Sequence, residues 1–239
     1  RIGLAAVILA PLLLVGSLLL LVNRQPAPAV GQFDAVAFNR AIAEGDAHLA
    51  AGDFEAASAS YSLAVEANPR SPAPAVKLGN VLLAQGEVKQ AIEQYEAAIK
   101  IDASYALAYF QIGEAYRSLG DGGAALAQYE RALRVNPAFA DAYIQSGGIY
   151  QERGDLARAE TLYNEALAAA VTDVRSRASA LTRLGNLEAL AGQTDRAIAR
   201  YQEAQQEDPG FAGSYVQLGQ VYLTQEQWDL ALEQFQAAV

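Results

Sequence analysis

The sequence predicts an all-α protein: a right-handed α-solenoid of about six helical hairpins preceded by one transmembrane helix. Three observations carry this. Residues 2–22 contain no charge. Glycine recurs at positions 45, 79, 113, 147, 185 and 219. Alanine and an aromatic residue follow each of these glycines at fixed distances.

Residues 1–24 read as a membrane anchor. Within 2–22 only Ser17 is polar, and its hydroxyl can bond back to a carbonyl one turn earlier. These 21 residues, at a rise of about 1.5 Å each, span roughly 31 Å, the thickness of a bilayer core. Pro11 is tolerated in a membrane helix. Arg1 and Arg24 bracket the run and can reach lipid headgroups. Ala27-Pro28-Ala29 loosely matches a signal-peptidase site, but the apolar run exceeds the roughly 7–15 residues of a cleaved leader. The bilayer is therefore one expected partner, through residues 2–22. Residues 25–37 form a linker, which Pro26 and Pro28 keep extended.

The expected solenoid covers 38–239, in repeats 38–71, 72–105, 106–139, 140–177, 178–211 and 212–239. Twelve residues after each glycine stand Ala57, Ala91, Ala125, Ala159, Ala197 and Ala231. Four further on come Tyr61, Tyr95, Tyr129, Tyr163, Tyr201 and Phe235, and three beyond those another alanine, Ala64 to Ala238. The glycine spacing is 34, 34, 34, 38 and 34. Each unit reads as two helices joined by a turn, with the alanine facing the glycine at the crossing so that the helices approach closely. The aromatic is expected to fill the gap to the next hairpin. Gly52, Gly86, Gly120, Gly154 and Gly192 suit left-handed turns. Asp53, Asp121 and Asp155 suit helix N-caps. Pro69, Pro137 and Pro209 end second helices. The four extra residues around 172–176 amount to one helical turn and should lengthen a helix.

These columns resemble the tetratricopeptide repeat family, most clearly at Leu78-Gly79, Leu184-Gly185-Asn186 and Leu218-Gly219-Gln220-Val221-Tyr222. Ala103 and Val171 depart from it where a proline is usual, and Glu226 replaces the last turn glycine. The resemblance implies a protein-binding solenoid whose first helices line a concave groove. The family's C-terminal solvating helix is missing from this sequence, so either the natural chain is longer or a partner covers that end.

Composition narrows the chemistry. Cysteine is absent and His48 is the sole histidine, so thiolate nucleophiles and histidine-rich metal sites have no residues to build them. No catalytic constellation, cofactor motif or metal-ligand set appears. His48 shares a column with Tyr116, Tyr150 and Tyr222 and reads as a packed helix residue; Trp228, in the column of Phe54, reads as inter-repeat packing. The net charge of −10 and the lack of a basic stripe exclude nucleic acid as a partner.

The candidate site is the groove. One residue after each glycine stand Asp46, Asn80, Glu114, Gly148, Asn186 and Gln220. Two before it stand Ala43, Lys77, Gln111, Gln145, Arg183 and Gln217, and three before it Ile42, Val76, Phe110, Ile144, Thr182 and Val216. A peptide-binding groove would thus hold Lys77, Asn80, Phe110, Gln111, Glu114, Arg117, Gln145, Arg183, Asn186, Gln217 and Gln220. Amides can bond a peptide backbone, and the apolar strip can take its side chains. Lys77 with Asn80, and Arg183 with Asn186, match part of the clamp for a terminal carboxylate that the resemblance implies. Asn80, Gln111, Gln145, Asn186 and Gln220 serve none of the packing columns, so their loss should leave the fold unchanged.

The function expected from this is a membrane-anchored interaction scaffold or adaptor, assisting assembly of a membrane complex. A stable accessory subunit of a photosynthetic or respiratory complex is the alternative within the binding class. A fragment of a larger enzyme is the alternative outside it. Signal-like N-terminal helices translocate the domain behind them, which places the solenoid on the periplasmic or lumenal side.

Overall fold

The computed structural model describes residues 34–239. The predicted anchor and the linker up to residue 33 lie outside the described residues. Among the described residues there are twelve helices and no strand, and no helix is long and apolar enough to cross a membrane. In chain order the helices are α1 (Ala35–Ala50), α2 (Phe54–Ala67), α3 (Ala73–Ala84), α4 (Val88–Ile101), α5 (Ala106–Ser118) and α6 (Gly122–Val135). They continue as α7 (Ala140–Glu152), α8 (Leu156–Ala169), α9 (Val174–Leu190), α10 (Thr194–Glu207), α11 (Ala212–Thr224) and α12 (Trp228–Ala237). Each odd-numbered helix pairs with the next, giving six hairpins, and each hairpin packs on its chain neighbours.

The first hairpin starts at Ala35, inside the stretch read as linker. Asp34 explains this: its Oδ1 accepts from the backbone N–H of Val36 at 3.1 Å and of Ala37 at 2.9 Å. That satisfies amides which the first turn of a helix leaves unpaired. Asp53, Asp121 and Asp155 do the same for Ala56, Ala124 and Arg158. The equivalent Glu87, Gln193 and Gln227 make no side-chain cap bond.

The five turn glycines take φ between +74° and +83°, as expected. Glu226 takes the same left-handed conformation, at φ +60°, without glycine's freedom. Four of the six second helices end on an Asx turn. Asn68, Asp102, Asn136 and Asp208 accept from the backbone N–H two residues on, at 2.8–3.2 Å. Asp102 ends α4 in this way with Ala103, rather than proline, after it.

The core corrects the expected packing in one respect. The tyrosine ring, rather than the alanine, covers the glycine. A Cβ added at Gly147, Gly185 or Gly219 would stand 2.6 Å from Cε1 of Tyr163, Tyr201 or Phe235. The ring also serves the expected role between hairpins: Tyr95 clusters with Ala108 and Ile112, and Tyr201 with Leu218. Tyr61, Tyr95, Tyr129, Tyr163 and Tyr201 are all fully buried, as are the alanines beside them.

The inserted residues lengthen α9 to 17 residues, against 12 or 13 in α3, α5, α7 and α11. Arg177 joins α9 to α10 by two 2.9 Å bonds to the Glu207 carboxylate. Trp228 departs from expectation. Phe54 and Val88, its counterparts, pack in clusters that include Val81 and Ala108 of the following hairpin. Among the described residues no such helix lies beside Trp228, which is 63% exposed.

Candidate partner-binding face

In four of the six hairpins the position after the first-helix glycine has a structural duty. The tyrosine that covers the glycine reaches past it and donates its phenolic hydrogen to that next residue. Tyr61 bonds Asp46 at 2.6 Å, Tyr95 bonds Asn80 at 2.8 Å and Tyr201 bonds Asn186 at 2.8 Å. Tyr129 bonds Glu114. In the fourth hairpin Gly148 offers no acceptor, and Tyr163 bonds Gln151, one turn further along α7, at 2.8 Å. In the sixth, Phe235 has no hydroxyl and Gln220 stands exposed. Asn80 and Asn186 therefore support the packing, contrary to the reading that they serve none of it.

Burial raises the tyrosine pKa values. Tyr201 is pushed up to about 12, by burial first and then by the negative charge of Glu188. Tyr95 rises through burial, and Tyr129 through burial together with its bond to Glu114. Burial would raise the Asp46 carboxyl, but the hydrogen bonds from Lys77 and Tyr61 outweigh it and hold it below the usual range.

The cations of this face are largely neutralised by the chain itself. Lys77 Nζ lies 2.6 Å from Asp46 Oδ1 and 5.6 Å from the centre of the Tyr61 ring. Arg117 lies 3.3 Å from Glu114. Arg183 is exposed and forms no salt bridge among the described residues. The lysine–asparagine pair is thus engaged within the chain, Asn80 by Tyr95 and Lys77 by Asp46, whereas in the arginine–asparagine pair only Asn186 is engaged, by Tyr201.

The expected apolar strip is core instead. Val76, Ile144 and Thr182 are buried. Phe110 stacks at 4.9 Å from Phe139 and 5.5 Å from Tyr129, between hairpins three and four. Helical register gives the direction of such a residue but not its depth. Gln111 and Gln145 are half-buried on the same helices.

Three predicted residues do converge. Asn186, Gln217 and Gln220 line a cleft of about 450 Å³ with Gln151, Thr194, Tyr201 and Thr224, walled by Ala189, Leu190 and Val221. Its lining comes from α7, α9 and α11, three successive first helices, with α10 below. Sequence reasoning missed Gln151, Thr194 and Thr224. Gln151 could have been found, since it lies three residues after the glycine that interrupts the acceptor column. The cleft offers amide and hydroxyl donors and acceptors and no charge. Among the described residues no group of three or more His, Cys, Asp or Glu side chains is placed to hold a metal ion.

Family models described as tetratricopeptide or TPR repeats match residues 42–71, 79–120, 113–154, 139–206 and 189–239. No curated protein matches the chain in sequence. Among solved structures, a thermophilic TPR protein of Thermus thermophilus is 26% identical, with a TM-score of 0.63, over 78% of this chain and 99% of that one. The crystal structure of MamA is 26% identical, with a TM-score of 0.53, over 69% of this chain and 94% of that one. An APC/C hetero-tetramer shares the fold at 18% identity and a TM-score of 0.68, over 84% of this chain and 39% of that one. With six hairpins, the glycine–tyrosine crossing and these matches in agreement, the chain belongs to the tetratricopeptide repeat family.

Proposed function

We propose that this protein is a non-catalytic scaffold that holds a protein or peptide partner on its first-helix face. Residues 2–22 anchor it to a membrane, with the solenoid on the periplasmic or lumenal side, where it assists assembly of a membrane complex. The observation that carries the reading is the uncharged cleft formed by α7, α9 and α11. Gln217 and Gln220 project into it and have no part in the tyrosine bonds that build the hairpins. A photo-crosslinking residue at Gln220 should trap a discrete partner in cells, and one at Arg131 on α6 should not. Equal trapping from both positions would remove the cleft from the mechanism. Residues 2–22 should hold the protein in the membrane pellet through high salt and carbonate; release by either would sink the anchor.

A stable accessory subunit of a membrane complex is the alternative reading. Mild detergent extraction separates the two readings: a permanent subunit co-purifies in fixed proportion, and an assembly scaffold does not.

A further inference from the structure

Gly148 is the position in the acceptor column that carries no side chain. An added Cβ there would meet nothing within 4 Å, so no neighbour requires the glycine, although glycine is among the poorest helix formers. The Tyr163 hydroxyl finds its acceptor one turn on, at Gln151. The hairpin thus keeps its tyrosine bond while leaving a gap in the face, between Glu114 of one hairpin and Asn186 of the next. Residues three apart on a helix share a side, so the gap adjoins Gln151 at the edge of the cleft.

The cleft itself contains no ionisable carboxylate, lysine or arginine. Elsewhere on this face Lys77 and Arg117 are paired with the chain's own Asp46 and Glu114. Arg183 is exposed nearby but does not line the cleft. The net charge of −10 disfavours acidic ligands further. An amide presents a donor and an acceptor together, which matches a peptide group.

Given the reading of this face as the partner site, we propose that the cleft takes an uncharged stretch of a partner chain. Gln151, Gln217 and Gln220 bond its backbone or its amide side chains, and the gap at Gly148 admits one of its side chains. The test is selection of displayed random peptides against the full chain in mild detergent. The expected winners are neutral, bind internally rather than by a terminal carboxylate, and change affinity by no more than about twofold between roughly 0.05 and 0.5 M salt. Gly148→Gln should weaken them about tenfold or more, and Gly148→Ala should not. Acidic or carboxylate-ended winners that bind the cleft overturn this inference and leave the scaffold reading standing. Neutral winners indifferent to Gly148→Gln overturn the role of the gap. No winner at the cleft overturns both readings.

Discussion

The phenol of Tyr95 donates a 2.8 Å hydrogen bond to Asn80, fifteen residues earlier in the same hairpin. The ring beneath that hydroxyl covers Gly79, which stands immediately before Asn80. One side chain thus closes the crossing of α3 and α4 and fixes the residue beside it.

Asn80→Ala should lower stability by about 1–3 kcal/mol, because it strands a part-buried hydroxyl. Adding Tyr95→Phe should recover part of that loss, since no donor is then left without an acceptor. A double-mutant cycle by urea unfolding measures the coupling. Additive costs would show that the bond contributes nothing.

Gly113→Ala should destabilise despite alanine's better helix propensity. The new methyl would collide with the Tyr129 ring, and overpacking of this kind costs about 1–3 kcal/mol. Gly113→Leu should cost more. An unchanged thermal midpoint for both would mean the ring moves aside freely.

Glu226→Gly should stabilise the last hairpin by about 1 kcal/mol, the left-handed penalty less glycine's entropy cost. Gly192→Ala should have the opposite sign for the same reason. Thermal unfolding of the two variants checks the pair.

Alkali should unfold the array. A tyrosine with a raised folded pKa favours the native state fully below its ordinary value. That contribution is lost as pH rises through the folded value. For Tyr201 the window runs from 10.0 to about 12, and Tyr95 and Tyr129 shift in the same direction. Helicity followed by circular dichroism should fall across that range as the Tyr201 phenol, followed by NMR, ionises. Ionisation of the Tyr201 phenol near pH 10 with helicity intact would contradict the burial.

Much of the fold was legible because close packing leaves fixed offsets: Gly79, Ala91, Tyr95 and Ala98 recur as a set in other hairpins. The site was legible only in part. Asn80 looked spare because a hydroxyl and its acceptor fifteen residues apart leave no mark beyond the packing columns. Phe110 looked open because depth depends on the neighbouring hairpin, where Phe139 sits. Trp228 looked packed because its column is packed elsewhere, and exposure is a property of what stands beside a residue. Gln217 and Gln220 were found because they lie on the first-helix face and take no part in the packing columns.

The extra length of α9 lies on the N-terminal side of Gly185, eleven residues after Val174, where α7 and α11 have seven before their glycines. Four residues add about 6 Å of helix, so α9 forms a step between its neighbours α7 and α11, matched only by α1 at the start of the array, with Val174 half-exposed on it. A periodic surface offers a bound chain several equivalent alignments, each displaced by one hairpin. On the proposed face the step would lift that degeneracy: a ligand shifted by one hairpin among α7, α9 and α11 would meet a different edge.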